Sequence, residues 1–101
     1  MDAAPGLRTI RVTNEGEGAA ICGGVFLSGK RAVLVMEKSG LRASVEPLAR
    51  TGLGAGIPVV MQMSYRGELG ENNCWAIPHG ITMEPVLNAL CVPCRVVRQE
   101  G

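Results

Sequence analysis

Ala32-Val33-Leu34-Val35-Met36 is apolar throughout and of strand length, the pattern of a strand buried on both faces in a parallel sheet. It closes in the polar residues Glu37-Lys38-Ser39-Gly40, at the carboxyl end of the strand, where ligands gather in open α/β sheets. Upstream, Thr9-Ile10-Arg11-Val12-Thr13 is β-branched and alternating and predicts a short strand. Downstream, Ile57-Pro58-Val59-Val60-Met61-Gln62-Met63 predicts a second buried strand, its proline near the first position, where a missing ladder donor is tolerated. Cys94-Arg95-Val96-Val97-Arg98 predicts a last short strand.

Helical patterns fill the intervals. In Asn14-Glu15-Gly16-Glu17-Gly18-Ala19-Ala20-Ile21-Cys22-Gly23-Gly24, Asn14 is placed to cap a helix beginning at Glu15, and Glu17 completes a capping-box pattern. That helix is expected to run to about Ser28 and to end at Gly29-Lys30. Leu41 to Ala49 has helical spacing, broken afterwards by Gly52, Gly54 and Gly56. A long polar segment, Ser64 to Asn73, follows the second buried strand. Thr82 to about Leu90 reads as an amphipathic helix with Thr82 as N-cap, Pro85 in its first turn, and Val86, Leu87 and Leu90 facing inward. The order predicts an α/β domain over residues 9–101, a three-layer parallel sheet with helices on both faces, preceded by a flexible tail at 1–8.

Composition agrees. The 101 residues suffice for one domain with a small core, and the 47% hydrophobic content with only 3% aromatic means that Val, Leu, Ile, Ala and Met must build it. A net charge of +1 with scattered basic residues gives no electrostatic case for nucleic acid. No apolar run approaches the ~20 residues that span a bilayer, and the first residues do not form a leader, so the expected location is cytoplasmic. The four cysteines are not spaced as a disulfide framework. Cys91-Val92-Pro93-Cys94 is formally a CxxC, open to three readings: zinc, for which Cys74 and His79 are the other candidate ligands, a redox pair, or a helix-to-strand connection turned by Pro93.

Three segments follow strands and should cluster on one sheet edge: Asn14 to Gly18, Glu37 to Arg42, and Ser64 to Asn73. Gly16, Gly18, Gly23 and Gly24 each cost roughly 1 kcal/mol relative to Ala inside a helix, so another backbone or a ligand is expected to come close. Glu17 has a capping role available, which leaves Glu15 as the carboxylate in need of a function. Gly16-x-Gly18 lacks the third glycine of a dinucleotide fingerprint. Arg66 is open to meeting an acidic substrate or to solvation, and Ser39 has no neighbouring base in sequence.

At these same segments the chain resembles a family. Asn14-Glu15-Gly16, the small-residue helix ending Gly23-Gly24-Val25-Phe26-Leu27-Ser28-Gly29-Lys30, Ser39-Gly40-Leu41 and Arg66-Gly67-Glu68-Leu69-Gly70-Glu71 are similar to the pyrimidine-binding half of thiamine-diphosphate-dependent decarboxylases, the sulfopyruvate and phosphonopyruvate enzymes above all. The resemblance runs from Ile10 to Val97. It implies that Glu15 hydrogen-bonds N1′ of the aminopyrimidine and promotes its imino tautomer, so that the cofactor deprotonates its own thiazolium C2. Ser39, Gly40 and Leu41 would then approach the cofactor, and Arg66 and Glu68 the substrate.

Two departures accompany the resemblance. Related decarboxylases tend to read Gln-Asn-Ser-Gly-Leu-Gly-Asn where this chain has Glu37-Lys38-Ser39-Gly40-Leu41-Arg42-Ala43. A first strand-helix unit also precedes the matching segment in the family, and the expectation is that it is missing here. Asn72-Asn73 lacks the preceding Gly-Asp-Gly that holds magnesium and diphosphate, so the resemblance implies a separate beta subunit carrying that domain, with thiamine diphosphate and magnesium across the interface. The expected activity is decarboxylation of a small 2-oxoacid, sulfopyruvate or phosphonopyruvate, by an alpha-type subunit in an oligomer. A non-catalytic or truncated partner-binding subunit and a small metal or redox module at Cys91 and Cys94 are the alternatives.

Overall fold

The computed structural model describes residues 5–64 and 77–97. The expected central strands form: β1 (Val33–Met36) and β2 (Val60–Met63) pair in parallel, with Val33 opposite Val60 and Met36 opposite Met63. Parallel neighbours require a crossover. It is supplied by α2 (Gly40–Ala43), α3 (Val45–Pro47) and a π-helical stretch over Leu48–Gly54. Ahead of β1 lies α1 (Glu15–Leu27), and the chain closes with α4 (Ile77–Ala89).

The crossover was expected as one helix and is broken instead. Pro47 has no N–H for the Ala43 carbonyl and its ring crowds that oxygen, so the helix parts at Ser44. The buried Ser44 hydroxyl donates to the Gly40 carbonyl at 2.9 Å, and Thr51 Oγ1 donates to the Pro47 carbonyl at 2.6 Å. Helical turns continue past Gly52 as far as Gly54, and the reversal falls at Gly56, whose φ of +70° suits glycine.

Alternation along the two strands sorts the sheet faces. Leu34, Met36, Met61 and Met63 meet the core, where Leu34 is buried with Ala19 and Cys22 of α1, Leu41 and Leu48 of the crossover, and Met83, Leu87 and Leu90 at the end of the chain. Each such aliphatic side chain contributes about 1.5–3 kcal/mol. The opposite face stays in solvent, with Val33 56%, Val35 54% and Val60 59% exposed. Among the described residues, then, β1 is buried on one face rather than two. The observed architecture is α/β with a small parallel sheet; a second helical layer lies outside what these residues show.

Other local expectations move. Residues 9–12 carry no strand, because among the described residues no neighbouring strand supplies their ladder; Val12 lies beside Gly18 of α1 instead. Residues 94–97 are likewise irregular and exposed. Helix α4 starts at Ile77, five residues before Thr82, and Thr82 Oγ1 donates back to the Pro78 carbonyl at 2.7 Å from inside the helix. The first-turn proline is Pro78, where early N–H groups lack partners anyway, and Pro85 lies in the interior. Met83, Leu87 and Leu90 are its buried residues, with Val86 only half-buried.

After α4 the chain turns at Cys91, in the left-handed region at φ +57°. The Cys91 N–H donates to the Asn88 carbonyl at 3.0 Å and the Val92 N–H to the Leu87 carbonyl at 2.9 Å, the two bonds of a Schellman closure. Cys91, rather than Pro93, makes this turn. No described helix is long and apolar enough to cross a membrane. Arg66, Glu68, Asn72, Asn73 and Cys74 lie outside the described residues.

Candidate functional site at the carboxyl edge of the sheet

Asn14 fixes the start of the site. Its backbone is extended, and its Oδ1 accepts the Gly16 N–H at 2.8 Å, which satisfies one of the orphan donors of α1. Glu15 is thereby the first helical residue. Glu17 is exposed and, among the described residues, forms no bond back to Asn14, so the reciprocal half of the expected capping box is not made. Its carboxylate serves the helix only through the dipole.

Half-buried Glu15 packs onto Gly40, the first residue of α2. A Cβ placed on Gly40 would collide with Glu15 Cγ and stand 2.9 Å from Glu15 Cδ and 3.0 Å from Met36 Sδ. At the next residue of α1, a Cβ on Gly16 would lie 2.9 Å from the Ala43 carbonyl oxygen, whose helical donor position is taken by Pro47. Two glycines, one on each helix, thus let the amino end of α1 and the segment after β1 touch backbone to side chain. Gly18 extends the seam onto the sheet, its missing Cβ 2.8 Å from Leu34 Cδ1. Gly23 has only ordinary neighbours at 3.8 Å or more, and Gly24 faces open space; the close approach expected of all four glycines holds for Gly16 and Gly18.

The second strand end joins the same edge. Ser64, directly after β2, accepts the Lys38 N–H on its Oγ at 3.3 Å. The beginnings of all three segments singled out by the sequence are therefore adjacent: Glu15 on Gly40, and Lys38 on Ser64. Ser39 is half-buried and spends no hydroxyl bond on capping α2. Leu41 is 1% exposed and belongs to the hydrophobic cluster, and its N–H donates to the Lys38 carbonyl at 3.1 Å. Arg42 is exposed on the outer side of α2. One residue escaped the sequence reading: Lys38 is buried, and no periodicity marks a lysine at a strand end as an interior residue.

Away from this edge, a groove of about 1050 Å³ runs along β2 between Leu48, Met61 and Met63 on one side and Leu87 and residues 91–97 on the other. It contains neither Glu15 nor Gly40. Cys91 and Cys94 are free and exposed, whereas Cys22 is buried and its thiol is pushed up by desolvation. Among the described residues no three His, Cys, Asp or Glu side chains gather as a metal site.

A helix-start carboxylate seated on a strand-end glycine lies at the carboxyl edge of the parallel sheet of this α/β domain, the edge at which open-sheet proteins bind ligands. The relatives of the chain say which kind of domain this is. The chain is similar to the alpha subunit of sulfopyruvate decarboxylase from Methanothermobacter thermautotrophicus, 35% identical over 97% of this chain and 59% of that protein. The Methanococcus maripaludis alpha subunit is 32% identical over 86% of this chain and 52% of its own length. Phosphonopyruvate decarboxylase of Streptomyces viridochromogenes is 36% identical over 68% of this chain and 17% of that enzyme. The resemblance read from the sequence is thus a direct sequence relationship to these two decarboxylases. The chain spans little more than half the length of the alpha subunits it matches. No family model and no solved structure matches it.

Proposed function

We propose that this chain is the pyrimidine-binding, alpha-type part of a thiamine-diphosphate-dependent 2-oxoacid decarboxylase acting on sulfopyruvate or phosphonopyruvate. The observation that carries the proposal is the seat of Glu15 on Gly40: the glutamate chain occupies the space that a Cβ at residue 40 would fill. The related decarboxylases support the reaction class. The donor set suits an aminopyrimidine, since a single half-buried carboxylate on a helix start offers one proton-sharing contact, with half-buried Ser39 next in sequence to the glycine it sits on.

When bound, the cofactor would supply an acidic carbon that adds to the 2-oxo group and takes up the electrons left as carbon dioxide departs. Glu15 would hold and return a proton at N1′, as a general acid/base acting through the ring. Asn14 would keep Glu15 at a fixed helical position, and Gly40 would leave the carboxylate free to reach. Ser39 and the backbones of Gly40 and Leu41 would line the cofactor, with Arg66 and Glu68 toward the substrate. Magnesium and diphosphate would be held by a beta subunit. The apolar sheet face of Val33, Val35 and Val60 is where a further layer would complete the three-layer domain.

The test mixes the chain with a sulfopyruvate decarboxylase beta subunit, thiamine diphosphate and magnesium, and measures carbon dioxide release. Turnover is expected, and Glu15→Gln should lower kcat at least 100-fold; undiminished turnover refutes the role of Glu15. The same exposed valines favour a second reading, a non-catalytic subunit that only binds partners, and a silent assay with a competent beta subunit would support it.

A further inference from the structure

Strand β2 has one neighbour among the described residues, β1, so its other edge offers backbone N–H and C=O groups to a further ladder. The groove along β2 follows that edge. Every residue from Val59 to Ser64 lines it, and no residue of β1 does. A pocket over one face of a sheet is lined by alternate residues, because successive side chains point to opposite faces; one lined by consecutive residues lies beside the strand. Its far wall is just as continuous, from Leu90 to Val97. That wall ends in the β-branched pair Val96-Val97, which has no ladder of its own and leaves Val97 88% exposed.

The gap has the size of a strand. At about 4.8 Å between strands, about 10 Å between layers and about 3.3 Å along a strand, one residue of sheet fills about 160 Å³. The groove, at about 1050 Å³, therefore holds about six residues, an ordinary strand length. On its core side lie Leu48, Met83, Leu87 and Leu90 of the buried cluster, so one face of the occupant must be apolar. The relatives point to its source. The alpha subunits match 97% and 86% of this chain but only 59% and 52% of their own length; homologues share a core, and what completes it is to be sought in the part that this chain does not match. We propose that the groove is a strand slot, filled by an apolar β-strand from the part of the alpha subunit with no counterpart among these 101 residues, joined to them or separate. Main-chain hydrogen bonds to β2 supply the affinity and alternate side chains the specificity. The inference uses the relationship to the alpha subunits and not their activity.

The experiment mixes the chain with overlapping peptides that tile the unmatched regions of the Methanothermobacter thermautotrophicus alpha subunit. Amide hydrogen exchange and thiol alkylation report occupancy. In the chain alone, the Val60–Met63 amides that face β1 should be protected and the rest should exchange fast, as a single ladder demands. One peptide with alternate apolar residues should slow the fast set at least about 10-fold. It should also slow alkylation of Cys91 and Cys94, both exposed on the groove wall, and leave buried Cys22 as it was. A proline at the centre of that peptide removes a ladder donor and should weaken its binding at least about 10-fold.

Protection by none of the peptides overturns the proposal, and so does equal binding of the proline peptide, which would mean contact without a ladder. Full protection of the Val60–Met63 amides in the chain alone overturns it too, because the slot is then already filled. Sedimentation names the occupant in that case, the chain's own residues in a monomer or a second copy in a dimer. Peptide binding by a chain that releases no carbon dioxide with its beta subunit would retire the decarboxylase reading and uphold the strand slot.

Discussion

Replacing Gly40 with alanine tests the seam between α1 and α2 directly. The new Cβ would collide with Glu15 Cγ and crowd Met36 Sδ at 3.0 Å. Overpacking of this sort costs about 1–3 kcal/mol, whereas exchanging a helical glycine for alanine returns about 0.5–1 kcal/mol. The neighbours are side-chain atoms of a half-buried glutamate and a methionine, both able to yield, so a clash of about 1.5 kcal/mol, in the lower half of that range, applies against a return of about 0.5 kcal/mol. Gly40→Ala is therefore expected to lose about 1 kcal/mol. With Glu15→Ala the Cγ is gone and the same change should gain about 0.5 kcal/mol, limited only by the methionine sulfur. The coupling between the two sites is then about 1.5 kcal/mol, well above the residual seen for residues that do not touch. Urea denaturation of the wild type, both single variants and the double variant, followed by circular dichroism, measures it. A coupling below about 0.5 kcal/mol would refute the packing of Glu15 on Gly40, and with it the structural support for the catalytic proposal.

Other outcomes follow from the same geometry. Asn14→Ala should cost about 1 kcal/mol through loss of the cap bond to Gly16, while Asn14→Asp keeps most of it, both read from unfolding free energies. Gly18→Ala should destabilise by about 1–3 kcal/mol because its Cβ would meet Leu34 Cδ1, whereas Gly24→Ala, facing open space, should stabilise the chain by up to about 1 kcal/mol; equal effects of the two would contradict the seam. Burial raises the Cys22 thiol above its ordinary 9.0, so the native state holds its proton longer than the unfolded chain. The resulting stability is fully present below the unfolded thiol's pKa and is lost as pH rises through the higher native value. Alkaline unfolding curves of the wild type and Cys22→Ala should therefore converge in slope below pH 8 and separate above about pH 9. In thiol labelling at neutral pH, Cys91 and Cys94 should react promptly and Cys22 only after denaturant is added, as judged by mass spectrometry.

Local rules were legible where the local energy term is the larger one. The apolar runs around Leu34 and Met61, the cap at Asn14 and the glycine stop at Gly29 all depend on a few neighbouring residues, and each lies where the sequence pattern puts it. The adjacency of the segments after β1 and β2 was also foreseeable, because parallel strands point their carboxyl ends one way. Proline signals were less faithful. Pro78 and Pro85 offer the same missing N–H, and only the packing of Met83, Leu87 and Leu90 decides which of them opens the helix. Strand expectations at residues 9–13 and 94–98 failed, where described, for a related reason: a strand is stabilised by its ladder partner, and β-branched composition carries no information about whether a partner is at hand.

By itself, then, the sequence determined the parallel α/β class, the helix start at Glu15 and the relationship to the sulfopyruvate and phosphonopyruvate decarboxylases. Only the tertiary structure decided which glycines are contacts, because Gly18 and Gly24 are alike in sequence and differ in whether Leu34 stands opposite. It also decided that Lys38 is interior and that one sheet face is apolar and uncovered among the described residues. Burial is a property of what lies across from a residue, and long-range neighbours are set by the packing of whole elements rather than by the residue's own chemistry.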